Sequence, residues 1–115
     1  MLAYAAQGIA DDRQSPRGTQ LRELLSRAVA AASGLPETYG AMVSAMNLEP
    51  RQRYQDFLDL LRGDTAKALA TLELVLAQPR ISSQLIDNCN ASLHLRTLLT
   101  DVFLLDEILN IQQSV

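Results

Sequence analysis

Apolar residues recur at helical spacing over most of the chain. From about residue 20 to residue 33 they follow one another three and four positions apart, which is the pattern of one buried helical face. Their positions are Leu21, Leu24, Leu25, Ala28, Val29 and Ala32. Thr19 is a suitable N-terminal cap, and Gly34 can supply the left-handed residue that ends a helix. The pattern therefore predicts a first helix over residues 20–33.

Proline, glycine and asparagine punctuate the next part of the chain. Pro36 suits the first turn of a second helix, and Asn47 is a good cap for a third helix that starts around Pro50. Gly63 is expected to end the third helix and Asp64 to cap a fourth. Because the connections are short, consecutive helices are expected to pack as antiparallel neighbours.

The last apolar pattern is the longest. Ser82 or Ser83 can cap it, and it continues without glycine or proline to about Gln112. At 1.5 Å per residue, one continuous helix would be about 45 Å long. Asn88 and Asn90 form its weakest stretch, and a bend there would fold its two halves back on each other. Both a continuous and a bent helix remain open.

This last segment carries two apolar stripes on nearly opposite sides. The first is expected to be the core of the long helix and comprises Leu95, Leu98, Val102, Leu105 and Leu109. The second, called the outer stripe below, is expected to meet a partner or a second copy of the chain and comprises Leu93, Leu104, Ile108 and Ile111. A helix with two apolar flanks lies in the centre of a core or packs against something outside its own bundle.

Met42, Met46 and Tyr54 form a further candidate binding surface. Methionine side chains are adaptable, and surfaces rich in them accept varied partners. Core filling explains the same residues equally well, so both interpretations stay open.

These patterns predict an all-α protein. We expect a single-domain bundle of about five helices over residues 19–115, in which antiparallel helical hairpins are followed by one long C-terminal helix. Residues 1–18 are expected to be a flexible lead-in or a short helix. The composition agrees, because the 115 residues are 48% hydrophobic and only 4% aromatic, enough for one core.

Charge and composition exclude several classes of function. The formal net charge is -3, and residues 97–115 contribute Asp101, Asp106 and Glu107 with no basic residue. The ten basic residues form no stripe of the kind that binds phosphate backbones, so nucleic acid is not an expected partner. The first residues lack the basic start of a signal peptide and are too short to span a membrane, which favours a cytoplasmic protein.

Candidate chemistry is sparse. One cysteine, Cys89, cannot form an intramolecular disulfide, and one histidine, His94, cannot build a zinc site with it alone. We therefore expect no metal and no cofactor. The segment His94 to Thr100 resembles the phosphoacceptor box of sensor histidine kinases, which implies phosphotransfer through His94. It lacks that family's acidic residue after the histidine and carries Leu98 where the family has proline.

Gly63 to Leu69 resembles the second helix of a tetratricopeptide repeat, which implies a turn at Gly63 and Asp64 between two antiparallel helices. No second copy occurs at the 34-residue period of that family. We expect a helical hairpin with similar turn chemistry.

The expected function is binding rather than catalysis. We expect a small regulator, inhibitor or adaptor that binds another protein through apolar helix faces and self-associates as a homodimer. One alternative is an export or assembly chaperone with a groove bordered by Met42, Met46 and Tyr54. The other is phosphotransfer through His94.

Overall fold

The computed structural model describes residues 15–114, and all regular structure in that range is helical. The described helices are α1 (Pro16–Met46), α2 (Arg51–Leu76), α3 (Ser83–Asn90) and α4 (Leu93–Ser114). The all-α class is confirmed, with four described helices in place of about five. Residues 1–14 of the predicted lead-in over residues 1–18 lie outside the described residues. Its last part, Pro16 to Gly18, already belongs to α1.

The N-terminus of α1 is capped by Ser15, not by Thr19 as predicted. The Ser15 hydroxyl accepts a hydrogen bond from the Gly18 backbone N–H at 2.9 Å, and Pro16 follows directly in the first turn. Serine before proline is a favourable helix start. The serine side chain accepts a hydrogen bond from a free N–H of the first turn, and proline has no backbone N–H that would need a partner. At the other end, Asn47 adopts a left-handed conformation with φ of 53° and closes α1 instead of capping the next helix.

Gly34 and Pro36 do not separate two helices, so that prediction was wrong. α1 runs through both, and Pro36 is buried inside it. A proline within a helix costs about 3 kcal/mol because it removes a backbone hydrogen bond. The helix persists because buried residues recur at seven-residue spacing across the proline, from Ala32 to Tyr39. Packing of this continuous face on a neighbouring helix outweighs the local penalty.

The turn predicted at Gly63 and Asp64 is also absent, because α2 continues through both residues. No described glycine has a positive φ, so Gly63 does not form a left-handed helix end. The buried face of α2 continues without interruption at three- and four-residue spacing. It consists of Leu58, Leu61, Thr65, Ala68, Leu72 and Val75. The hairpin implied by the tetratricopeptide resemblance is therefore wrong at this position.

The long C-terminal pattern is bent, which is one of the two possibilities that the sequence left open. α3 ends at Asn90, Ala91 and Ser92 form the turn, and α4 begins at Leu93. Ser82 caps α3 as expected, since its hydroxyl accepts from the Leu85 N–H at 3.0 Å. α4 has 22 residues, which corresponds to about 33 Å rather than 45 Å.

α2 is the central helix of the fold. α1 and α4 both pack against it, and α3 bridges α2 and α4. In the part of the chain that the structure describes, no Cα atom of α1 lies within 8 Å of one in α4. The Arg22 guanidinium, near the start of α1, donates to the carbonyl oxygens of Leu76 at 2.8 Å and Gln78 at 2.6 Å. α1 and α2 are therefore antiparallel.

The core has two parts, one towards each end of α2. The larger comprises Ala32, Tyr39, Val43, Leu58, Leu61, Ala68, Leu98, Leu105 and Leu109. The smaller comprises Leu25, Leu72, Val75, Ile81 and Cys89, with Leu95 packed against it. Because the end of α4 meets the start of α2 and its beginning meets the end of α2, these two helices are antiparallel as well. α1 and α4 thus run parallel on either side of α2.

The fold is elongated, with extents of 62 × 23 × 19 Å and a radius of gyration of 18.2 Å. A compact domain of this length has a radius of gyration of about 13 Å. Because α1 and α4 pack on α2 and not on each other, much of their surface is not covered by another helix.

Leu61 tests the central position of α2. Its side chain is 0% exposed, whereas neighbouring Leu60 is 48% exposed. We expect Leu61→Ala to lower the free energy of unfolding by about 3 kcal/mol because it leaves a cavity. The matched variant Leu60→Ala is expected to change it by no more than about 0.5 kcal/mol. Urea unfolding followed by circular dichroism measures both, and equal losses would contradict the packing described.

Candidate functional site

An apolar groove with a volume of about 500 Å³ lies between α1 and α4. Leu72 of α2 contributes to its floor, and residues from the end of α3 close one side. The residues that form its two main walls are Leu21, Leu24, Leu25, Ala28, Ala31, Ala32 and Leu35 from α1, and Leu95, Leu98, Leu99 and Val102 from α4. The groove exists because both wall helices rest on α2 and not on each other.

Hydrogen bonds between the elements mark the two ends of the groove. The Tyr39 hydroxyl of α1 donates to Asp106 Oδ1 of α4. Burial, followed by this hydrogen bond and the Asp106 charge, raises the pKa of Tyr39 to about 12. Beyond the opposite end, the Arg17 guanidinium donates to the Ser83 hydroxyl of α3 at 3.1 Å. α1 is thereby tied to the other elements on both sides of the opening.

The α1 wall has the spacing of a helix-packing seam. Leu24, Ala28, Ala31 and Leu35 are separated by four, three and four residues, as in the core positions of a coiled coil. Leu24 is 60% exposed, and both alanines are exposed. Small residues between two leucines let another backbone approach closely. Among the described residues, this seam is therefore uncovered from Leu24 to Ala31, whereas Leu35 is half-buried against the larger core.

The α4 wall continues the groove with a similar repeat. Leu95, Leu99 and Val102 are four and three residues apart, and Leu99 is 53% exposed. Arg96 lies about 60° further out than Leu99 on the helix, at the edge of the groove. On α1, Arg27 lies about 60° outside Leu24 and forms an exposed ion pair with Glu23 at 3.6 Å. An arginine thus lies beyond each wall.

A second feature is a pair of carboxyl groups between α2 and α4, formed by Asp64 and Asp101 and called the carboxyl pair below. Asp101 is only 9% exposed, and Asp64 is half-buried. Burial, a hydrogen bond with Asp64 and the Asp64 charge together raise the pKa of Asp101 to about 7. An ionised carboxylate only accepts hydrogen bonds, so two carboxyls that bond each other must share a proton.

Two buried oxygen atoms near this junction have no hydrogen-bond partner among the described residues. They are Asp101 Oδ2 and Thr65 Oγ1. Thr65 is 3% exposed and belongs to the buried face of α2. A buried polar atom without a partner retains its desolvation penalty. Asp101 on α4 and Thr65 on the buried face of α2 therefore each carry an uncompensated polar atom.

The structure separates the four residues of the outer stripe by exposure. Leu93 is 73% exposed, Leu104 is 49% exposed and Ile111 is 56% exposed, whereas Ile108 is half-buried. The opposite stripe faces inward, with Leu98, Leu105 and Leu109 buried and Leu95 and Val102 partly buried against the core.

The three residues of the predicted surface, Met42, Met46 and Tyr54, differ in exposure. Met46 and Tyr54 are half-buried and pack against the larger core, while Met42 is 37% exposed. The apolar groove lies elsewhere, because the continuous α1 places its seam next to α4. Of the candidate residues, only Leu95, Leu98 and Val102 line it.

His94 is exposed and lines a pocket of about 170 Å³ together with Asp64, Lys67, Leu93 and Thr97. Cys89 is buried, and burial raises the pKa of its thiol. Within residues 15–114, no group of three or more His, Cys, Asp or Glu residues is placed to hold a metal ion.

Together, the fold and the site define an all-α protein with an open, helix-lined groove. Within residues 15–114, none of the helices combines the length and the hydropathy that a transmembrane span requires. No protein-family model matches the chain, and neither a curated protein nor a solved structure does.

The groove was missed at the sequence level because its α1 residues were interpreted as core. Leu24 and Ala28 were included in one broad buried face, and Gly34 was expected to end the helix before Leu35. The four-three-four spacing from Leu24 to Leu35 was a signal for a second seam, about 60–80° from the face that packs on α2.

Thr65 provides a test of the unpartnered hydroxyl on the buried face of α2. We expect Thr65→Val to raise the free energy of unfolding by about 1 kcal/mol, because it removes a buried hydroxyl without a partner and nearly preserves volume. The control is Thr71→Val, since the Thr71 hydroxyl donates to the Lys67 carbonyl at 3.1 Å. Chemical denaturation measures both, and a loss of stability in Thr65→Val would contradict the assignment.

Proposed function

We propose that this protein acts by binding another protein, as a regulator, inhibitor or adaptor, and that the apolar groove receives a helix of that partner. The observation that carries the proposal is the uncovered seam on α1, which lies opposite a second apolar wall on α4. Exposed contiguous apolar surface of this kind is typical of interaction sites. The proposed activity is binding and involves no catalysis.

The shape of the groove favours a helix as its occupant. α1 and α4 flank α2, so a helix in the groove would take the fourth position of a four-helix arrangement, diagonally opposite α2. It would then run antiparallel to both walls. The wall from Leu21 to Leu35 is about 21 Å long, which matches about four turns of helix. Peptide recognition by a helix in an apolar groove is a common mode.

The edges of the groove indicate the chemistry of the occupant. Its inner stripe would be leucine and alanine, to match the small residues of α1. Arg27 and Arg96 lie beyond the two walls, which favours acidic side chains along the flanks of the bound helix. We therefore propose an amphipathic helix with acidic flanks.

A designed helical peptide tests this proposal. The probe has about 16 residues, with leucine and alanine at the seam positions and glutamate at the flanking positions. We expect Leu24→Glu to weaken its binding by about tenfold or more, because a charge would be buried without a partner. Leu74→Glu is the matched control, since Leu74 is 65% exposed and does not line the groove.

Fluorescence anisotropy of the labelled peptide measures these affinities. The control is expected to bind as the wild type does, and a lysine-flanked version of the peptide is expected to bind more weakly. No binding to the wild type, or equal losses in both variants, would refute the groove as a helix site.

The outer stripe is a second candidate surface, for self-association as a homodimer. Its support is the exposure of Leu93, Leu104 and Ile111. An isologous contact between two such surfaces would bury both.

Sedimentation velocity tests the homodimer. We expect the wild type to be dimeric and Leu104→Asp to be a monomer with unchanged helical circular dichroism, since the substitution places a charge in the interface. Leu99→Asp is the matched control on the same helix, because Leu99 is 53% exposed and faces the groove. A monomeric wild type, or a monomeric control, would exclude the outer stripe as the dimer surface.

Two alternatives lead to different observations. An export or assembly chaperone, with a groove bordered by Met42, Met46 and Tyr54, would recover one dominant client in a pull-down with the full chain, and a broad or empty eluate would count against it. Phosphotransfer through His94 would require labelling by a phosphorylated response regulator that is lost in His94→Gln. The exposure of His94 is its only structural support.

A further inference from the structure

We propose that one proton shared by the carboxyl pair holds α4 against α2, and that loss of this proton loosens the α4 wall of the groove. The effect on the binding site rests on the proposed function. The loosening of α4 is a property of the fold itself.

The position of the pair carries the inference. Asp101 is 9% exposed, and Leu98 and Val102, one turn before it and next to it, line the groove. Asp64 faces it from the middle of α2. When both carboxyls are ionised, they become two negative charges in a poorly hydrated contact, and neither can donate a hydrogen bond to the other.

The other contacts that hold α4 to α2 are mainly apolar, since Leu98, Leu105 and Leu109 are buried in the larger core. α4 packs on α2 and α3, and no Cα atom of α1 approaches it within 8 Å in the described chain. A hydrogen bond from the Tyr39 hydroxyl to Asp106 joins α4 to α1. Asp101 Oδ2 is buried and has no hydrogen-bond partner among the described residues, so no hydrogen bond to this atom offsets a second negative charge.

Other titratable groups around the pair do not explain the same behaviour. α2 presents Lys67, which is cationic, and α4 presents His94, and both line the small pocket that includes Asp64. Because His94 lines the same pocket as Asp64, it needs its own control. The pKa of Asp101 is raised by burial and by Asp64, and not by the two other groups with raised pKa values, Tyr39 of α1 and Cys89 of α3.

The direction of the pH effect follows from the raised pKa of Asp101. Its ordinary pKa is 3.8, and burial beside Asp64 raises it to about 7. A group whose pKa is higher in the folded state contributes fully to stability below its unfolded pKa, and that contribution is lost as the pH rises through the folded pKa. The α2–α4 contact is therefore expected to weaken from about pH 4 to above pH 7.

Hydrogen exchange of the full chain tests the inference. Protection factors of α4 amides, corrected for the intrinsic pH dependence of exchange, are measured at pH 5.5 and pH 8 by mass spectrometry. We expect the wild-type values to fall by about tenfold or more relative to those of the α1–α2 contact. Asp101→Asn and Asp64→Asn are each expected to abolish this fall, because an amide can donate to the remaining carboxylate at either pH.

Two variants at different helices keep the test decisive if one of them folds poorly. His94→Gln is the control and is expected to retain the wild-type fall. The proposal is overturned if wild-type α4 shows no loss of protection, if the asparagine variants still lose it, or if His94→Gln removes it. Peptide binding is not measured in this experiment, so a failure of the proposed function would appear only in the anisotropy experiment.

Discussion

Burial of the apolar face of α2 is the constraint on which the rest of the structure depends. This face is longer than any short helix could cover, and it is covered by α1 on one side and α4 on the other. Because both helices rest on α2, each keeps an apolar strip that points past it. The groove is the space between these strips, so the same packing that stabilises the fold also creates the candidate binding site.

Long-range packing also explains why the sequence predicted the fold class and not the helix boundaries. Apolar periodicity is a property of each segment and indicated helices throughout. Whether Pro36 or Gly63 interrupts a helix depends on how much apolar surface the residues beyond it can bury. That amount depends on the neighbouring helix and not on the local sequence. At Asn88 and Asn90 no such continuous buried face spans the weak stretch, and the turn forms immediately after it.

The candidate site was less predictable than the fold for a related reason. Leu24 and Leu25 are adjacent in sequence and both apolar, yet Leu25 is 9% exposed in the core and Leu24 is 60% exposed at the groove. Periodicity identifies apolar sides of a helix and does not state which side finds a neighbour. In the sequence of α4 the two apolar stripes could be distinguished because polar residues lie between them. On α1 the buried face and the groove seam are adjacent, so the sequence pattern indicated a single broad apolar face.

The acidic C-terminal segment has a different role from the one that its charge alone suggests. Of its three acidic residues, Asp101 is buried against Asp64, and Asp106 accepts from Tyr39. A surplus of negative charge on the surface would affect solubility and partner choice. Carboxyl groups between helices instead affect how the helices are held together. The free-energy cost of burying Asp101 is smallest when it is protonated. Because Asp101 adjoins the α4 residues that line the groove, the strength of the contact between that wall and α2 depends on whether this one proton is bound.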